Sequence, residues 1–248
     1  MELKQEYNEN PDSDGLVIFI HGFMGSPVQF EKLADAVYRH GYSSLNLLLP
    51  GHGSSMNDFA SSTCKEWQQY VDDQIDLYGK QYRQIYLVGH SMGGLLAVNA
   101  SIRYENRITG VMMIASPFKN TTTSCYTLKI RLKQVFSKKN NPIKTAYLKH
   151  SGIPIHPSVI WSTAKPSREV RHLIKETRSL LPEIKVPVTA VFSEADELVP
   201  LSNLEILKTE LKQAPLTQLI ITESLHAYYT PQEEKRIEES LIKTLEKQ

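Results

Sequence analysis

The stretch Gln84 to Leu95, QIYLVGHSMGGL, constrains this chain more than any other. An apolar run (Ile85, Tyr86, Leu87, Val88) stops at Gly89, and a helix-compatible run from Leu95 to Ala100 begins after Gly93-Gly94. Between them stands Ser91, in a G-x-S-x-G pattern with a strand before it and a helix after it. A side chain carried on so sharp a turn is held in a strained backbone, and glycines on either side leave room for strand and helix to close together. A serine that merely capped a helix would not need three glycines around it. Ser91 is therefore the candidate nucleophile, with the amide groups of the following helix aimed back at the turn.

The rest of the chain repeats the same grammar. Leu16–Ile20 is a short apolar run of the kind that forms a strand covered on both faces. It empties into His21-Gly22-Phe23-Met24-Gly25-Ser26-Pro27, and Pro27 opens a helix that the spacing of Phe30, Leu33, Ala34 and Val37 carries to His40. A second strand, Ser43–Leu49, breaks at Pro50-Gly51-His52-Gly53. An amphipathic helix follows from Cys64 to about Gln81, and beyond the Ser91 helix lies another buried strand, Ile108–Ala115. Alternating strands and helices of this kind build a parallel sheet with helices on both faces, whose ligand site lies at the carboxyl ends of the strands.

That alternation lapses between 117 and 182, which holds helix-compatible pieces at Tyr126–Phe136, Ile143–His150 and Arg168–Leu181 but no strand-like run. A long insertion between regular units is more often a lid or binding surface than a structureless loop. The expected division is a core of 1–116 and 183–248 with a helical cap at 117–182. The charges from Lys119 to Lys149 are all positive (Lys119, Lys129, Arg131, Lys133, Lys138, Lys139, Lys144 and Lys149). They read as a solvated helical face or, more sharply, as an attractor of anionic substrate or acidic lipid. Regular order resumes with a strand at Val186–Phe192, a helix at Leu201–Lys212, a strand at Leu216–Thr222 and a charged helix opened by Pro231.

A serine hydroxyl needs a base within reach and a third group to orient that base. In this type of fold the order along the chain is serine, acid, histidine. After Ser91 come His150, His156, His172 and His226, and only His226 follows both a further strand and an acidic strand-end loop. That loop offers Glu194, Asp196 and Glu197. Asp196 is preferred because the apolar turn Leu198-Val199-Pro200 can fix it, with Glu194 as fallback. Backbone amides of Met92 and Phe23 are the candidate oxyanion donors, and Gly22, Phe23 and Met92 the residues expected against substrate. His21 and His52 read as loop anchors.

Taken together, HGFMGSP (21–27), LPGHGSS (49–55), GHSMGG (89–94), EADELVP (194–200) and SLHAYY (224–229) resemble the α/β-hydrolase superfamily, and within it bacterial carboxylesterases related to monoacylglycerol lipases. The resemblance spans nearly all of the chain outside the insertion. It implies a small helical cap above Ser91 and ester hydrolysis through an acyl-enzyme without a cofactor, with nucleophile, acid and base at Ser91, Asp196 and His226. Ser193-Glu194-Ala195 departs from the family pattern, in which many relatives carry a glycine near the acid. The expected substrate is an ester of short to medium acyl chain. Monoacylglycerol lipase, thioesterase and a non-catalytic small-molecule receptor are the alternatives on the same scaffold.

Composition narrows the partners. A formal charge of +1 over 248 residues gives no electrostatic argument for nucleic acid. No run approaches a membrane span, the polar first fifteen residues lack a secretory signal, and two cysteines, Cys64 and Cys125, make no disulfide framework or metal spacing. The expectations are a cytoplasmic protein without stable membrane insertion, with a small-molecule partner and homodimerisation left open.

Overall fold

The computed structural model describes residues 3–119, 142–152 and 162–246. Seven strands form one sheet: β1 (Glu6–Asn8), β2 (Gly15–Ile20), β3 (Ser43–Asn46), β4 (Gln84–His90), β5 (Ile108–Ile114), β6 (Val188–Ser193) and β7 (Leu216–Ile221). Their spatial order is β1-β3-β2-β4-β5-β6-β7. All neighbours are parallel except β1, which lies antiparallel on β3 at one edge.

The helices are α1 (Glu31–Arg39, entered from a 3-10 turn at Pro27–Phe30), α2 (Met56–Ser61), α3 (Cys64–Tyr78), α4 (Met92–Arg103), α5 (Pro142–His150), α6 (Ala164–Leu180), α7 (Ser202–Glu210) and α8 (Pro231–Leu245). The two faces of the sheet follow from the alternation of side chains along each strand. Leu16, Ile18 and Ile20 of β2, with Ile85 and Leu87 of β4, join Trp67 and Val71 of α3, Leu95 of α4, Leu173 of α6 and Leu204 of α7. Val17 and Phe19, with Tyr86 and Val88, join Leu33 and Val37 of α1 and Leu241 of α8. Central strands apolar at every position are thus each divided between two cores, which is why they read as continuous rather than alternating runs. Each fully buried aliphatic or aromatic side chain in these layers contributes roughly 1.5–3 kcal/mol.

Several boundaries differ from the sequence reading for identifiable reasons. β3 leaves the ladder at Asn46 although Leu47 and Leu49 remain wholly buried; the apolar run records burial, and its last residues already belong to the loop. α3 stops at Tyr78 rather than at about Gln81, with Gly79 as its C-cap: the Gly79 amide donates to the Ile75 carbonyl at 2.8 Å, and a Cβ there would lie 2.3 Å from the same oxygen. α6 begins at Ala164, ahead of Arg168, and α7 runs a little shorter than expected. β1 and α2 were not anticipated. α2 carries a reciprocal cap, Ser55 with Asp58, and α3 carries another, Thr63 with Glu66; each satisfies amides at the helix start.

The expected helix Tyr126–Phe136 lies outside the described residues, as do His156, Cys125, Lys129, Arg131, Lys133, Lys138 and Lys139. Of the remaining basic residues, Lys149 reaches Glu31 at 3.0 Å on the surface, a pair of small energetic weight. No described helix is long and apolar enough to cross a membrane.

Candidate active site

The turn after β4 is shaped by sterics. Ser91 sits at φ 53°, ψ −116°, a conformation side-chain-bearing residues rarely adopt. Its amide is fixed to the Ile114 carbonyl on β5 at 2.8 Å. A Cβ at Gly93 would lie 1.9 Å from the Ile20 carbonyl oxygen, and one at Gly89 would lie 2.3 Å from the Gly93 carbonyl. Only glycine lets α4 start this close to β2 and β4. Met92, the first residue of α4, is buried directly behind Ser91, and its amide belongs to the helix start that has no acceptor within the helix.

Three of the residues singled out from the sequence meet here. His226 Nε2 is 3.0 Å from Ser91 Oγ, and His226 Nδ1 is 2.9 Å from Asp196 Oδ2. The other carboxylate oxygen of Asp196 accepts the amides of Leu198 and Val199, both at 2.8 Å, so the apolar turn does fix this side chain. Burial pushes the Asp196 pKa up, but the charge and hydrogen bond of His226 and the two turn amides outweigh it and hold it below the ordinary carboxylate range. An ionised Asp196 requires the proton of neutral His226 to sit on Nδ1, leaving the Nε2 lone pair towards Ser91. Glu194, the fallback acid, is exposed.

β7 is three places from β4, roughly 14 Å at the usual strand spacing, so the loop bearing His226 must reach back across β6 and β5. Polar contacts hold it there. The main-chain oxygen of His226 accepts His90 Nε2–H at 2.7 Å, and its amide donates to Glu197 at 3.0 Å. Glu233, in the first turn of α8, accepts the amides of Thr222 (2.6 Å) and Ser224 (2.8 Å) and the hydroxyl of Ser224. Ser193, which stands in the departure from the family pattern, donates its hydroxyl to the Ser224 carbonyl at 2.5 Å.

The glycine-rich loop after β2 lies beside the elbow because β2 and β4 are paired, Ile20 opposite Gly89. A Cβ on Gly22 would fall 3.2 Å from Ser91 Cβ, so Gly22 borders Ser91 directly. Phe23 is partly exposed, its ring 5.3 Å from that of Phe59. His21 and His52 are the loop's anchors. His21 Nδ1 donates to the Gly22 carbonyl while Nε2 accepts the Leu49 amide; His52 Nδ1 donates to the Pro50 carbonyl while Nε2 accepts the Met24 amide. A ring nitrogen that accepts an amide must be unprotonated. Burial accordingly depresses both pKa values, that of His52 to about 4 and that of His21 well below its ordinary value.

Among the described residues no cluster of three or more His, Cys, Asp or Glu could hold a metal ion. The profile of the hydrolase family described as serine aminopeptidase, S33, matches residues 11–233. The chain belongs to this family. This S33-family hydrolase has the α/β-hydrolase fold and is similar to carboxylesterases and monoacylglycerol lipases. It is 23% identical over 192 residues to the thermostable monoacylglycerol lipase of Bacillus sp. strain H-257, covering 77% of this chain and 74% of that one. It is 27% identical to phospholipase YtpA of Bacillus subtilis, covering 74% and 76%. Among solved structures, one of a study of two metagenome-derived lipolytic enzymes superposes with a TM-score of 0.80 at 23% identity, covering 100% of this chain and 98% of that one. The monoacylglycerol lipase of Paleococcus ferrophilus superposes at 0.74 with 19% identity, covering 99% and 98%.

The sequence reading passed over the residues that hold His226 in place. His90 was given no role of its own within GHSMGG. Glu197 was weighed only as an acid, whereas it holds the amide of His226. Glu233 had a readable signal, Thr230-Pro-Gln-Glu, because Thr230 caps α8 and Glu233 stands at the third helical position.

Proposed function

We propose that this S33-family hydrolase is a serine carboxylesterase acting on esters of short to medium acyl chain. The observation that carries the proposal is the continuous relay from Ser91 Oγ through the His226 ring to a buried, ionised Asp196. In the proposed reaction His226 Nε2 takes the Ser91 proton as Oγ attacks the ester carbonyl. Asp196 fixes the tautomer and stabilises the imidazolium that forms. The oxyanion is received by the amides of Met92 and Phe23. The same proton then passes to the departing alcohol, leaving an acyl-Ser91. A water that gives its proton to Nε2 attacks the acyl carbon, and Ser91 departs as the hydroxyl.

Residues 117–182 serve as the cap over this centre, and 1–116 with 183–248 as the core; α5 lies against the 3-10 turn of the core and α6 against α4. Monoacylglycerol lipase activity is the second reading, favoured by the similarity to two lipases of that description. Turnover of p-nitrophenyl and glyceryl esters across acyl lengths separates the two: a maximum on short aryl esters supports the carboxylesterase, and a preference for long-chain monoacylglycerols supports the lipase. A folded protein that takes up no fluorophosphonate would overturn both readings in favour of a receptor, and uptake undiminished in Ser91→Ala would overturn Ser91 as the nucleophile.

A further inference from the structure

Two loops carry the proposed chemistry, and they leave the sheet at different strands: residues 21–26 after β2 and residues 222–229 after β7. One short stretch of the insertion, 147–152, is tied to both, directly to the first and through Glu197 to the second. On the β7 side the Tyr147 hydroxyl donates to one oxygen of Glu197 at 2.5 Å, and the other oxygen of that carboxylate accepts the His226 amide at 3.0 Å. On the β2 side the Ser26 hydroxyl donates to the His150 carbonyl at 3.1 Å, and the Gly152 amide donates to the Met24 carbonyl at 2.8 Å. The Gly152 carbonyl then accepts the Gly53 amide at 2.6 Å.

The fit at Gly152 is close. A Cβ there would stand 1.9 Å from the Gly25 carbonyl oxygen and 3.3 Å from His52 Cβ, so this position admits no side chain while the loop stays where it is. His52 is also the residue whose Nε2 receives the Met24 amide. Met24 is thus held at its amide by His52 and at its carbonyl by Gly152, with its backbone at φ 61°. Phe23 immediately precedes it.

From this geometry we infer that Tyr147 and Gly152, with Glu197 as intermediary, are positioning residues: the stretch 147–152 braces the base loop and the oxyanion loop against one another. The inference rests on the esterase reading and adds to it that the insertion sets the alignment of the reacting groups as well as covering them. None of the three residues touches the reacting atoms. Tyr147 acts through Glu197 on the main chain of His226, and Gly152 acts through Met24 on Phe23. Because misplacement by about 1 Å can cost on the order of a hundredfold in rate, loosening either contact should lower kcat while leaving ground-state binding little changed.

The experiment compares the full-length wild type with Tyr147→Phe, Glu197→Ala, Glu197→Gln and Gly152→Ala. Two readouts are taken, steady-state hydrolysis of p-nitrophenyl butyrate and amide exchange by mass spectrometry over residues 22–26 and 224–228. Tyr147→Phe and Glu197→Ala should speed exchange at 224–228 and lower kcat by roughly three- to tenfold with KM within twofold. Glu197→Gln, which keeps an acceptor for the His226 amide, should recover most of the loss. Gly152→Ala should speed exchange at 22–26 and lower kcat by about ten- to a hundredfold. Unchanged exchange, or faster exchange with kcat intact, would overturn the inference. Should Gly152→Ala fail to fold, the Tyr147 and Glu197 variants decide alone. A wild type that neither hydrolyses the ester nor takes up a fluorophosphonate would overturn the esterase reading instead, and the exchange results would still decide whether 147–152 braces the two loops.

Discussion

The elbow after β4 and the loop after β7 deliver the two side chains proposed to react, Ser91 and His226, and they are built in opposite ways. The elbow is held by exclusion: glycines at 89 and 93 permit contacts no other residue could make, and the Ser91 amide is tied to the neighbouring strand. The β7 loop is held by attraction, through Glu233, Ser193, Glu197 and His90, which come from three other parts of the chain. Steric exclusion is local and all-or-none, so one wrong atom breaks it. A set of hydrogen bonds is distributed, and each contributes only about 0.5–1.5 kcal/mol net, more where a charge is involved.

The contrast can be broken most directly where the two regions meet. Ser91→Ala and His226→Ala should each reduce kcat by on the order of 10⁴–10⁶-fold, and the double variant should be hardly worse than either single one, because the pair acts as a unit. Additive losses in p-nitrophenyl ester hydrolysis would show that Ser91 and His226 work separately.

Next in size is the steric test. Gly93→Ala drives a methyl into the Ile20 carbonyl and should cost roughly 3 kcal/mol, seen as a fall of about 10 °C in Tm by calorimetry. A melt within 2 °C of wild type, on the order of 1 kcal/mol or less, would mean that α4 can retreat from β2 and that exclusion does not set the elbow. The matching test of attraction is Glu233→Ala, which strips the acceptor from the Thr222 and Ser224 amides. It should lower stability by about 1–3 kcal/mol and kcat by roughly tenfold. Glu233→Gln, which keeps an acceptor oxygen, should do less harm. Equal damage from both would point to charge rather than hydrogen bonding.

Smallest per residue and per pH unit is a slope of stability with pH. His21, His52 and His90 are buried and neutral, with pKa values pushed down, to about 4 for His52 and about 3 for His90, by burial first and for His21 and His90 by a neighbouring histidine second. Below about pH 6.5 the unfolded chain binds protons these residues cannot accept while folded, so stability falls with falling pH from there down to the folded pKa. Each contributes up to about 1.4 kcal/mol per pH unit within that window. Thermal melts between pH 7 and pH 4.5 should show this decline, and His52→Asn should make it shallower.

How much of this was legible follows from the same division. β2, β4 and β5 were readable because a strand covered on both faces must be apolar throughout. Ser91 and its glycines were readable because their constraint is local to the chain. Asp196 and His226 could be ordered by their place after β6 and β7. What escaped was either not apolar or not local. β1 is a three-residue polar edge strand, and Glu6-Tyr7-Asn8 carries no signal until β3 lies alongside it. The supports of His226 are separated from it by up to 136 positions, as His90 is, and no short-range pattern records such a contact.

The position of β4 in the sheet places the Ser91 hydroxyl near its middle, whereas the His226 imidazole is delivered from an edge strand, β7. Edge strands fray before central ones. Heating should therefore disconnect the proton acceptor first and leave behind a correctly shaped but inert hydroxyl, so that loss of turnover precedes global melting and reverses on cooling.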